Sequence, residues 1–241
     1  MCYVGRARIV CFLATALLIA ASATAQEVGY KDLTDVAPNP LRYNKFIPDS
    51  ACNPGSGGGL GLGIGCPPNA YPFELSLLSV DTSELSVGGE AVILLRLRNV
   101  GRDAASVPWI TDPDEIELPD HNGTFGFSEA DLRANIAQEG GTTYFGIPVH
   151  LYGAKEVPGS LQEIRPGEYL ELKVSLVLDC KTAALGCRSL SVGSGRLSIT
   201  WTDLDSRVTY EKCGTQRSES RTRELTSDSA VISVVGRVDS E

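Results

Sequence analysis

The sequence predicts an all-β protein, an antiparallel sandwich of about seven to nine strands that carries one long insertion of loop and short helix. Three observations carry this. Within Leu85 to Gly101, Ala91, Ile93, Leu95 and Leu97 alternate with Val92, Leu94, Arg96 and Arg98, the period-two repeat of a half-buried strand. Arg165 to Leu178 repeats the pattern, with Leu170, Leu172, Val174, Leu176 and Leu178 on one face. Turn signals bound the runs: Gly88-Gly89, Asn99-Val100-Gly101 and Pro166-Gly167.

Residues 1–25 read as a signal peptide. Arg6 and Arg8 precede an apolar run from Ile9 to Ala21, and Ala23-Thr24-Ala25 fits the small-x-small cleavage pattern before Gln26. No later stretch approaches the ~20 apolar residues of a spanning helix. The expectation is a secreted or periplasmic protein with no membrane span in its mature chain. Cleavage removes two arginines and no acid, so the net charge moves from -9 to -11. An acidic surface repels phosphate backbones, which argues against a nucleic-acid partner.

Cleavage also leaves five cysteines: Cys52, Cys66, Cys180, Cys187 and Cys213. An oxidising compartment favours disulfides, and spacing favours Cys52 with Cys66 and Cys180 with Cys187 or Cys213. No CxxC is present, and the two histidines, His121 and His150, are far from any cysteine in sequence.

Residues 26–72 read as a Pro/Gly-rich arm or linker. They hold seven prolines and the run Gly55 to Gly65, a composition that loses much entropy on ordering and buries little. The glycine run lacks both GxGxxG and a following Gly-Lys-Ser/Thr, so it is no phosphate cradle.

The sandwich domain is expected over 73–241. Phe73 to Val80 is a first strand, and Leu77-Leu78 breaks its alternation, which predicts a bulge. After the strand over 91–98, Ser106 to Trp109 reads as a strand at an edge or a bulged position, because Pro108 cannot donate to a central ladder. The insertion occupies 110–168. In it, Ser128 and Asp131 resemble a capping box, and Leu132 and Ile136 lie four apart, so a helix is predicted over 129–138. Thr142 to Gly153 follows as an aromatic-rich strand interrupted by Pro148. Arg196 to Thr202 and Arg207 to Cys213 read as a hairpin around Asp203 to Ser206, and Ala230 to Val238 as the last strand.

The pieces Leu95 to Gly101, Pro166-Gly167-Glu168 and Gly195 to Trp201 together resemble immunoglobulin-like domains of secreted bacterial proteins, and more faintly the sandwich of BsuPI-type proteinase inhibitors. The resemblance implies a scaffold and no activity, because these are scaffold motifs. No cysteine lies in 91–98, so the immunoglobulin pin of two cysteines and a tryptophan is absent.

No catalytic motif stands out. There is no GxSxG elbow, and any pairing among thirty acids is expected by number alone. The protein is therefore read as non-catalytic and without a cofactor. Calcium is the metal to consider, because Asp112, Asp114 and Glu115 offer hard oxygens in one loop. A glycan-stacking reading picks out Tyr144 and Tyr152, which share parity, with His150 between them. The functional expectation is an exported module that binds another macromolecule, protein or glycan, or serves a structural role. The alternatives are a carbohydrate-binding module, and a proteinase inhibitor acting through the 110–127 or 180–187 loop.

Overall fold

The structure, a computed structural model, describes residues 25–36, 71–112, 115–116, 123–180, 190–211 and 214–236. Twelve strands and no α-helix are found among them: β1 (Glu27–Asp32), β2 (Phe73–Val80), β3 (Glu84–Ser86), β4 (Glu90–Asn99), β5 (Ala105–Pro108), β6 (Gly123–Gln138), β7 (Gly141–Ala154), β8 (Leu161–Ile164), β9 (Tyr169–Val177), β10 (Gly193–Glu211), β11 (Gly214–Thr226) and β12 (Ala230–Val235). One sheet runs β1-β9-β4-β2. A second runs β3-β12-β10-β6-β7, with β11 also on β10, and β5 and β8 form a separate ribbon.

The strand over 91–98 is central, as its alternation predicts. β4 lies between β2 and β9, with Leu95 opposite Leu77 on one side and Leu172 on the other. Its alternate residues Ala91, Ile93, Leu95 and Leu97 are fully enclosed. On the outer face Arg96 reaches Glu171 at 2.6 Å and stacks on Tyr169 at 4.2 Å. The turns also hold. Gly167 takes φ of 84°, which glycine adopts without a Cβ clash, and Glu168 closes the turn by accepting from the Arg165 amide at 2.8 Å. The expected bulge in β2 falls between Leu77 and Ser79 and leaves Leu78 exposed.

Four expectations are overturned. The helix over 129–138 is strand β6. Leu132 and Ile136 are four apart, which puts them on one face of a strand as well as of a helix, and Ala130 and Ala134 complete the period-two row. β10 and β7 then pair along both edges of β6, and those ladders override its helix propensity. The irregular insertion over 110–168 in fact supplies two long strands of the second sheet, β6 and the edge strand β7. Asp203 to Ser206 is not a turn: β10 continues through it, because Asp203 and Asp205 lie opposite Arg223 and Arg221 of β11. Finally, the arrangement is not purely antiparallel. β1, expected within an arm, joins the first sheet parallel to β9, and β3 lies parallel to β12.

The main core fills the space between the two sheets. Phe73, Leu75, Ile93, Leu95, Leu170, Leu172 and Val174 face Leu132, Ile136, Phe145, Leu197, Ile199, Trp201 and Ile232. A smaller core of Ile116, Phe125, Phe127, Tyr152 and Ala154 lies on the opposite face of the second sheet. The register shows this: Ala130 pairs with Leu151 of the main core, whereas Phe127 pairs with Ala154 and Glu129 with Tyr152, on the other face. Ile110 covers this second core, pinned by hydrogen bonds to the Tyr152 backbone at 2.9 and 2.6 Å. Position 153 needs glycine there, since a Cβ would meet the Ser160 carbonyl at 2.8 Å.

Of the five cysteines, Cys180 alone lies in the described residues, partly buried against the main core. The pairings expected of Cys52, Cys66, Cys187 and Cys213 lie outside them. No helix among the described residues is long and apolar enough to cross a membrane.

Candidate functional site

Pairing of β6 with β7 places Asp131 opposite His150, Arg133 opposite Gly146 and Asn135 opposite Tyr144. Directly opposed residues share a face, and this is the face turned away from the main core. The ladder shifts register between Asp131 and Leu132: Leu132 pairs with Ile147, so Pro148 and Val149 are passed over. β7 is the edge of its sheet, where a proline and a bulge are tolerated.

At the inner end of this face, His150 Nδ1 contacts Asp131 Oδ1 and lies 3.8 Å from Glu129 Oε1. Glu129 is buried, His150 mostly buried and Asp131 half exposed. One ligand atom from each lies within 4.8 Å of the others, the one such grouping among the described residues. One imidazole and two carboxylates suit a divalent ion such as zinc, nickel or iron better than calcium, which takes about six to eight oxygens. The hydrogen bond between His150 Nδ1 and Asp131 Oδ1 also joins these side chains without any ion.

Further along, the face is open. Tyr144 is 36% exposed, its ring 5.0 Å from the Arg133 guanidinium. Asn135 donates from Nδ2 to Thr200 Oγ1 at 2.8 Å, and Thr200 in turn meets Thr226 at 3.1 Å. Gly146 is exposed, with nothing within 4 Å of where its Cβ would sit. Val231, on β12, is a second large apolar side chain exposed on this face.

The predicted site residues therefore separate. Tyr144 is exposed as expected. Tyr152 is not: it is buried in the second core, stacked on Phe127 and on His150 at 6.3 Å each. Its position opposite Glu129, under Ile110, puts it there, so it cannot share a stacking platform with Tyr144. Asp112 and Glu115 are exposed on a turn closed by Glu115 N donating to Asp112 O at 3.1 Å, and Asp114 lies outside the described residues. Sequence reading missed Glu129, Asp131, Arg133 and Asn135. Their alternation with Ala130, Leu132 and Ala134 was the available signal.

A second polar cluster lies at one end of the main core. Asp203 is buried beside Trp201, with Arg223 at 3.7 Å, and Arg223 also lies 3.8 Å from Asp205. Burial pushes the Asp203 carboxyl up to about 6; the Tyr71 hydroxyl and Arg223 hold it down in part, and Asp205 pushes it up. The Tyr71 hydroxyl lies close to Asp203 without closing a hydrogen bond of ordinary geometry, and burial raises it well above the usual phenol range. Tyr71 also lines an open pocket with Pro72 and residues 100–105.

No family model and no curated protein matches the chain. Among solved structures, the chain is similar to the sporulation control protein Spo0M from Bacillus subtilis at 11% identity, over 70% of this chain and 51% of that one, with a TM-score of 0.31. It is similar to the alkylpurine DNA glycosylase AlkC from Pseudomonas fluorescens at 9% identity, over 64% and 30%, with a TM-score of 0.27. It is also similar to a β-glucosidase from Listeria innocua at 12% identity, over 64% and 16%, with a TM-score of 0.25. The chain thus spans about half the length of the first and less of the other two, and likenesses this distant carry nothing for its function.

Proposed function

We propose that this is an exported, non-catalytic sandwich module that binds another macromolecule through the open face of its second sheet. The observation that carries this is that face itself. Around Tyr144, Gly146, Ser198 and Val231, side chains of β7, β6, β10 and β12 lie at the surface with no layer of the described chain over them. A sheet with one face packed and the other open commonly meets solvent or a partner there. Here the open face also carries an exposed aromatic ring held by a cation, a feature of recognition surfaces. Export rests on the leader-like residues 1–25, and the compartment would be one in which the five remaining cysteines oxidise.

Two measurements test the reading. An N-terminal read of the exported protein should begin near Gln26, and one beginning at Met1 refutes export. Immobilised mature protein should retain a component of its source's medium or envelope, and Gly146→Arg should lose it. The arginine would start from a Cβ that meets nothing within 4 Å and would project from the open face. Retention unchanged by Gly146→Arg refutes the face.

A further inference from the structure

We propose that the subsite around Tyr144, Arg133 and Asn135 recognises a neutral polysaccharide, an inference that rests on the open face being the binding surface. The chemistry of the spot selects this class. A pyranose has a flank of C–H groups that packs on an aromatic ring, and a rim of hydroxyls that both donate and accept. Tyr144 supplies the ring. Arg133 stacks on it at 5.0 Å, which fixes its orientation and reduces the ordering cost of binding. Gly146, two residues along the same face, leaves a flat ledge beside the ring where any side chain would obstruct a chain of sugars.

Asn135 supplies the second, independent observation. It is 8% exposed and lies opposite Tyr144 across the ladder. Its Nδ2 is committed to Thr200, which turns Oδ1 away from β10, and this oxygen accepts no hydrogen bond. Arg133 Nε is likewise enclosed without an acceptor. An enclosed amide oxygen and guanidinium N–H left without partners are costly, and sugar hydroxyls, which both donate and accept, are the ligand groups suited to each.

Other ligand classes fit less well. Asp131 and Glu224 on the same face offset Arg133 and Arg196, so these four side chains give no excess charge to draw an anionic ligand. Among the described residues, Tyr144 and Val231 are the large apolar side chains exposed on the strands of this face, fewer than the buried aromatic and aliphatic centre of a stable protein interface uses.

Native electrophoresis of the mature protein through gels holding hydroxyethylcellulose, laminarin, xylan or galactomannan tests the proposal. At least one polymer should retard the wild type. Tyr144→Ala should weaken that retardation at least tenfold, Asn135→Ala several-fold, and Tyr144→Phe should keep most of it. Tyr30→Ser, on the other sheet, should change nothing. Thermal melts of each variant separate lost binding from lost folding. Retardation by none of the polymers, or retardation that survives Tyr144→Ala in a folded protein, overturns the proposal. In either case, loss of partner retention by Gly146→Arg would leave the binding face standing with a different ligand, whereas unchanged retention would remove both.

Discussion

Leu95→Asp is expected to abolish folding. Leu95 is fully enclosed at the middle of β4, with Leu77 and Leu172 opposite it on its two neighbours. Deleting a leucine at such a site costs about 2–5 kcal/mol by itself. An unpaired carboxylate placed there adds a desolvation cost of several kcal/mol more. Domains of this kind are stable by about 5–15 kcal/mol, so the sum approaches or exceeds the whole. Circular dichroism and urea titration should show no cooperative transition, whereas Leu95→Ala should retain one at lower urea. Arg96→Ala, one residue along on the wet face, should cost under about 1 kcal/mol, since its pair with Glu171 is partly exposed. A soluble, cooperative Leu95→Asp protein would mean that the two faces of β4 are reversed.

The second large effect runs the other way. Asp203→Asn should stabilise the protein at neutral pH. The Asp203 carboxyl is pushed up to about 6 in the folded state, against about 3.9 in an unfolded chain. The folded protein therefore holds the proton more tightly. The stability this contributes is present below about pH 4 and is lost as pH rises through about 6. Above that pH the ionised, buried carboxylate is a liability on the order of 3 kcal/mol, since each tenfold difference in proton affinity is worth about 1.4 kcal/mol. Asparagine imitates the protonated form. The melting temperature should rise by roughly 6–12 °C at pH 7.5, from about 2–4 °C per kcal/mol in a domain this size, and should hardly change at pH 4. Asp32, held down to about 2 by Lys173 and Thr34 at an exposed edge, titrates below this window and cancels between the two proteins. If Asp203→Asn instead destabilises at pH 7.5, Asp203 works as an ionised partner of Arg223.

What could be read from the sequence tracks where the cause of structure is local. β4 and β9 were legible because each carries its alternation and its bounding turns within about a dozen residues. β6 was not, because Ser128, Asp131, Leu132 and Ile136 satisfy helix and strand alike, and the decision lies with β10, some seventy residues away. The acids of β10 read as a turn for the same reason: they become strand residues only once Arg221 and Arg223 stand opposite them. At the candidate site Tyr144 was legible as an aromatic on an exposed parity. Tyr152 has the same parity and the opposite fate, since the side chains that bury it, Phe127 and Ile110, come from other segments. The Glu129, Asp131 and His150 grouping needs the β6–β7 register and its shift at Asp131, which no pattern in either strand specifies alone.

Burial on opposite faces at the two ends of β6 makes that strand self-checking. An ordinary half-buried strand that slips by one residue exchanges one apolar row for one polar row. In β6 the same slip would take Ala130, Leu132, Ala134 and Ile136 out of the main core and, at once, Phe125 and Phe127 out of the second. Two penalties would arrive together, and no single side of the sheet could relax to absorb them. The crossover falls at Glu129 and Ala130, neighbours that are both buried, on opposite sides. Glu129 and its companions on β7 thus stand at the fulcrum of the strand, the point where any slip would be felt from both ends.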